Sequence, residues 1–245
     1  VLTIALLAGS FICAVGQAAT PEPVPQPKSI AETGAPMAII PMDRLVIAVG
    51  SGATEPELYA RDRLAELCQR RFSISPRLAT EDALPADASC TIILGQPTTG
   101  ELVQAHCQAT GLAAGEFAAH QDGYAVDVLP ARKRVIVSGT NGRSVIYGAQ
   151  TVFRLLGSTP EGLALPAVSA RDWPSIPWRG RPHSSVQTHL QPGVMDAYLW
   201  AGLNFIDVRA GAFGYAPDAN LDTERIGCCL TQAHRRGLHL SPIHI

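Results

Sequence analysis

The stretch DGYAVDVLPARKRVIVSGTNGRSVIYGAQTVFRLL, residues 122–156, decides the fold class. Tyr124, Val126 and Val128 alternate with Ala125, Asp127 and Leu129, the two-residue period of a β-strand. Pro130-Ala131-Arg132-Lys133 interrupts that period with a polar, basic loop, and residues 134–138 resume it, so the two runs form a hairpin. Asn141-Gly142 marks the next turn. Beyond it Val145, Ile146, Ala149, Val152, Phe153 and Leu156 recur at helical spacing, and Gly157 closes the helix. Gly148, inside this apolar face, costs about 1 kcal/mol relative to alanine, which predicts close approach of a neighbouring element. Tyr147, Gly148 and Gln150 read as residues that pack the helix on its sheet.

Toward the N-terminus the same alternation of elements continues. Leu45-Val46-Ile47-Ala48-Val49 is a short, β-branched apolar run bounded by Gly50 and Gly52, and so a buried strand. Thr54 and Glu57 form a capping box for a helix that carries Leu58, Leu64, Leu67 and Cys68 to Arg71. Strands near 72–78 and 91–94 and a helix over 100–110 follow. The order β-α-β-β-α-β-β-α predicts a small α/β sandwich domain, a sheet with helices on one side, over residues 42–170. Residues 20–41, rich in proline and without an apolar period, read as an extended linker.

Two prolines between Arg171 and Gly180 mark a second boundary. Residues 171–245 then read strand (178–186), helix from Pro192 to near Gly202, strand (204–208), helix (221–236) and strand (238–243). Such a β-α-β-α-β run opens a parallel repeat. An open three-stranded parallel sheet leaves faces and an edge uncovered, so this unit is expected to be the truncated beginning of a (β/α)8 barrel, which needs ~250 residues.

Composition sets the outer limits. The 245 residues are 47% hydrophobic and 16% charged, which excludes disorder over the whole length. A net charge of −2 offers no positive field for a phosphate backbone, so nucleic acid is not an expected partner. Residues 2–15 are apolar and lead into Gly16-Gln17-Ala18, as in a secretory signal ending near residue 19; the run is short of the ~20 residues of a membrane span. Export is expected, with no permanent membrane span. Cys68, Cys90, Cys107, Cys228 and Cys229 have no framework spacing, and the histidines of the last third have no ligand spacing, so no metal and no cofactor is expected.

The stretch Asp122-Gly123-Tyr124-Ala125-Val126, the strand Val135-Ile136-Val137-Ser138-Gly139 and the run from Tyr147 to Leu156 together resemble the domain that precedes the catalytic barrel in family 20 glycoside hydrolases, the β-N-acetylhexosaminidases. Asp172-Trp173-Pro174 and Trp178-Arg179-Gly180 are similar to the segment leading into that barrel, and residues 233–242 to its second helix and third strand. The resemblance implies an exported hydrolase of glycans ending in N-acetylhexosamine. An aspartate–glutamate pair after the fourth barrel strand would work there with the substrate's own acetamido group, a substrate-assisted retaining mechanism. That pair would lie beyond Ile245, so no catalytic residue is expected in this chain.

Arg179 matches an arginine that binds sugar hydroxyls in the family; a salt-bridged arginine at the domain interface is the competing reading. Asn204 is kept, but Phe205-Ile206-Asp207-Val208-Arg209 has no histidine where the family carries one. Asp207 and Arg209 fall at the C-terminal end of a strand, where barrel sites are built, and read as sugar contacts or as an ion pair. A non-catalytic carbohydrate-binding or scaffold protein, and a glycosidase of related architecture such as an α-glucuronidase, are the alternatives.

Overall fold

Strands that are apolar on both sides have to be covered on both sides, and this rule explains the first sheet. The computed structural model describes residues 26–112, 116–209 and 223–243. Its strands and helices, in chain order, are β1 (Ser29–Ile39), β2 (Leu45–Val49), α1 (Glu55–Phe72), β3 (Arg77–Thr80), β4 (Cys90–Gly95), α2 (Glu101–Thr110), β5 (Tyr124–Leu129), β6 (Arg134–Gly139), α3 (Gly142–Leu155), β7 (Gly157–Thr159) and β8 (Gly162–Asp172). The strand order is β1-β8-β5-β6-β4-β2-β3, with β7 beside β8. Pairing is parallel from β3 through β2 and β4 to β6, and antiparallel from β6 through β5 and β8 to β1.

Ile92, Leu94, Val135 and Val137 face α1 and α3, whereas Ile93 and Ile136 face the other way and pack with Val103 and Cys107 of α2. Helices therefore cover both sides of the sheet. The expectation of helices on one side is corrected here, and the continuous apolar runs of β4 and β6 give the reason.

Two further differences lie at the sheet's other end. Ser29–Ile39, read as linker, is an edge strand paired along β8. Only Met37 and Ile39 of it are buried, so it carries no apolar period to be read. β8, which the sequence reading does not include, carries Pro166, a residue that cannot donate to a ladder. The β1–β8 register shifts between Gly34 and Met37, opposite Ala167 and Leu165, so the proline falls where the ladder is already irregular.

Gly148 is where α3 meets the sheet. A Cβ there would run into Val137 Cγ1, which accounts for a glycine inside an apolar helix face. The capping box of α1 is formed as expected. Glu57 Oε2 accepts from the Thr54 backbone N–H at 2.6 Å and hydroxyl at 2.7 Å, and Oε1 accepts from the Gln96 N–H at 2.9 Å and the Thr99 hydroxyl at 2.5 Å. This carboxylate is fully buried and joins α1 to the turn after β4.

The second unit comprises β9 (Gly180–Ser184), α4 (Val186–His189), α5 (Val194–Trp200), β10 (Phe205–Arg209), α6 (Thr223–Arg235) and β11 (His239–Ile243). Its sheet is parallel throughout, in the order β11-β10-β9. Tyr198, Leu199, Ile206, Cys229, Ala233 and Leu238 belong to the same buried cluster as the apolar faces of α1 and α3. Those two helices are thus sandwiched between the sheets, and the two units share one core.

Candidate functional site

Charged groups buried between two units must be matched bond for bond. Asp122 occupies this position. It precedes β5 with a left-handed backbone (φ 64), which aspartate tolerates better than bulkier residues, and it is fully buried. Its Oδ1 accepts from Asn141 Nδ2 at 2.9 Å and from Arg143 Nε and Nη2 at 3.0 and 2.6 Å. Its Oδ2 accepts from Arg179 Nη2 and Asn204 Nδ2, both at 3.1 Å. Burial pushes this carboxyl up, but the bonds and charge of Arg143, with Asn141 and Asn204, outweigh it and hold the carboxyl below its usual range.

The partners extend the network into the second unit. Arg143 also donates to the Gly237 carbonyl. Gly237 has φ 65, and a Cβ on it would stand 3.0 Å from Arg143 Cβ, so glycine is required there twice over. Asn204 accepts from the Arg179 N–H at 2.8 Å through Oδ1, and its carbonyl accepts from the His239 N–H at 2.9 Å. One asparagine thereby ties together the N-terminal ends of β9, β10 and β11. Tyr147 donates to the Leu203 carbonyl at 2.8 Å, which fixes α3 to the same turn. A second junction lies at Asp196, which accepts from Tyr59 Oη at 2.6 Å and Arg236 Nε at 2.7 Å.

Arg179 stands immediately before β9. Its Nε donates to the Gly202 carbonyl at 2.6 Å and its Nη1 to that of Ile176 at 2.7 Å, in addition to the Asp122 bond. The Asp122 contact is an ion pair between the two units. Asp207 lies elsewhere. Register pairs Gly180 with Phe205, so Asp207 is three positions further along than Asn204, ~10 Å at a strand's rise per residue. Asp207 is buried, on the face of β10 opposite Ile206 and therefore away from the helix layer. Arg209 ends β10, and its side chain lies outside the described residues. The structure therefore does not bring Arg179 and Asp207 together.

Asp122, Asn141 and Arg143 were not singled out from the sequence as site residues. The available signal was local: Asp122-Gly123 and Asn141-Gly142-Arg143 put charged or amide groups at the starts of elements whose interiors are apolar.

A cleft of about 380 Å³ opens beside the network, between Tyr124, Gln150 and Arg154 on the first unit, the Asp172–Ser175 turn, and Trp200 on the second. Tyr124 Oη donates to Asp172 at 3.1 Å. Burial is the main reason the Asp172 carboxyl is raised, and the bonds from Tyr124 and Lys28 only partly offset it.

Among the described residues no group of three or more His, Cys, Asp or Glu is placed to hold a metal, and no helix is long and apolar enough to cross a membrane. Cys68 and Cys90 are buried, which pushes both thiols up to about 12. Residues 1–19, read as a secretory signal, lie outside the described residues.

The family model for glycosyl hydrolase family 20, domain 2, matches residues 20–173. No curated protein matches the chain. Among solved structures, CpGH84D superposes with a TM-score of 0.65 at 15% identity, over 92% of this chain and 37% of that one. The chitobiase of Flavobacterium johnsoniae gives 0.61 at 16% identity, over 89% and 33%. The N-acetyl-β-hexosaminidase of Streptomyces plicatus, in complex with thio-NAglucal, gives 0.59 at 16% identity, over 91% and 47%. At such identities the likeness is one of fold, and the chain spans about a third to a half of the length of these proteins. The matched segment covers well over half of the chain and takes in the whole first sheet, from β1 to β8, so the chain belongs to glycosyl hydrolase family 20 and carries its domain 2.

Proposed function

We propose that this chain is the N-terminal part of an exported glycoside hydrolase that removes terminal N-acetylhexosamine from glycans by substrate-assisted retaining catalysis. The observation that carries the reading is the order of parts: a family 20 domain 2 followed directly by a docked parallel unit, β9 to β11. In this reading the unit is the first portion of a (β/α)8 barrel; its helix layer packs on α3, which is buried nearly all round, and meets α1 through Tyr59, Asp62 and Arg63. The catalytic aspartate–glutamate pair would follow Ile245, so this chain alone would be inactive.

Within the proposal the substrate lies at the C-terminal ends of the parallel strands, where barrel enzymes bind it. Asp207, on the face that a closed barrel turns inward, and Arg209, at the strand's end, are then the candidate sugar contacts. Arg179 is a positioning residue, holding the starts of β9 and β10 in register through Asn204 and Asp122. The absence of histidine from Phe205–Arg209 favours a specificity that differs in detail from the family's usual one.

The test is hydrolysis by the full-length gene product of three chromogenic substrates: an N-acetyl-β-glucosaminide, the matching β-glucoside and a glucuronide. Cleavage of the first with neglect of the second is the expected result, because only the acetamido group supplies the nucleophile. Cleavage of the glucuronide alone, or of none, contradicts the proposal.

A further inference from the structure

The cleft between the two units contains polar groups that the fold does not use. Gln150 is 8% exposed, yet its side-chain amide makes no hydrogen bond among the described residues and lines the cleft. Its amide nitrogen and oxygen are open to the cleft, where a ligand can pair with both. One helical turn on, Arg154 is half-buried with no carboxylate partner among the described residues. It donates to the Trp200 carbonyl at a long 3.3 Å and lies over the Trp200 ring, 4.6 Å from its centroid.

The signs of charge narrow the ligand. Arg154 offers donors on one wall and Asp172 offers acceptor oxygens on another, with the Tyr124 hydroxyl close to both. Lys28 and Arg179 also line the space, but each is engaged: the Lys28 ammonium with Ser175 at 2.8 Å, and the Arg179 guanidinium with Asp122. An anion attracted by Arg154 would face Asp172, and a cation attracted by Asp172 would face Arg154. A neutral compound with hydroxyl groups meets no such conflict, since a hydroxyl donates to the carboxylate and accepts from the guanidinium, and the Gln150 amide does both. Trp200, 39% exposed at the lip, adds an aromatic edge beside Arg154, which covers one face of its ring. The volume of about 380 Å³ lies at the small end of ligand pockets.

We propose that this cleft binds a neutral, hydroxylated ring compound, a saccharide or cyclic polyol, between Gln150, Arg154, Asp172 and Trp200. The proposal rests on the cleft's own residues and stands whether or not the glycosidase reading holds.

The experiment is titration of the purified chain with chitobiose and with myo-inositol, and separately with sodium phosphate and sodium acetate, read by tryptophan fluorescence and by calorimetry. Saturable binding of at least one neutral probe, with the anions neither binding nor competing, is expected. Gln150→Leu and Trp200→Leu should each weaken it about fivefold or more, while Trp178→Phe, outside the cleft, leaves it unchanged. Arg154→Met, at a half-buried position of α3, provides a second variant if Gln150→Leu alters the thermal transition. Binding of phosphate or acetate in place of the neutral probes, no binding by any probe, or binding that the cleft variants do not weaken overturns the proposal.

Discussion

Asp122 Oδ2 and Arg179 Nη2 meet at 3.1 Å across the junction of the two units, 57 positions apart in the chain, with the aspartate fully buried. The same carboxylate holds Arg143 through its other oxygen, so one negative charge is shared by two guanidinium groups. Removing Asp122 would strand both cations and leave the Asn141 and Asn204 amides short of an acceptor. We predict that Asp122→Ala lowers the unfolding free energy by about 3–5 kcal/mol, measured by urea denaturation, and that Arg179→Ala costs less, because Arg143 still pairs with the carboxylate. Equal costs for the two would place the importance of the network in Arg179.

Acid should loosen the same junctions. Burial raises the carboxyls of Asp122, Asp127 and Asp196, but their hydrogen bonds and facing charges more than offset this, from Arg143, from His106 and Arg171, and from Tyr59 and Arg236 respectively; all three lie below the usual range. A carboxyl with a depressed folded value stabilises fully above its unfolded pKa of ~3.9, and that contribution disappears as pH falls through the folded value. Asp172, raised mainly by burial, acts in the opposite sense, its contribution decreasing as pH rises through the unfolded value toward the folded one. Thermal melts from pH 6 to pH 2 should therefore show a steep loss below about pH 4, reduced in Asp122→Asn relative to its own value at pH 6.

Glu57 supports a prediction within the first unit. Four donors converge on its two oxygens, so Glu57→Gln turns an amide N–H2 toward two of them. About 2–4 kcal/mol of stability should be lost by denaturant unfolding, against nearly nothing for the exposed Glu55→Gln.

At Gly148, a methyl group would meet Val137 Cγ1 well inside contact distance. Gly148→Ala should destabilise by about 1–3 kcal/mol despite alanine's better helix propensity, and Val137→Ala should relieve part of it in the double variant. Additive effects of the two substitutions would contradict the packing.

Apart from β3, expected near 72–78 but found at Arg77–Thr80, the elements from β2 to α3 were legible because each carries its own period: Leu45 to Val49 as an unbroken apolar run, Thr54 and Glu57 as a cap, and Val145 to Leu156 as a helical face. β1 and β8 were not, and for different reasons. β1 buries only Met37 and Ile39, so its pairing comes from a partner strand rather than from its own pattern. β8 hides its strand character behind Pro166, which the shift in the β1 ladder accommodates. The one-sided sheet was an error of counting faces: Ile93 and Ile136 are as apolar as their neighbours and need α2. The junction was the least legible part, since Asp122, Arg143, Arg179 and Asn204 gain their meaning only when four separate turns meet. Gly148 is the exception, a single residue whose cost announced a contact at long range.

The proposed activity is tested most directly by following one reaction: the full-length gene product with an aryl N-acetyl-β-glucosaminide, observed by proton NMR from the first minutes. Cleavage should release N-acetylglucosamine first as the β anomer, because the acetamido oxygen and then water attack from opposite faces in turn. Initial release of the α anomer, or no cleavage by a soluble, folded full-length protein, would contradict the reading.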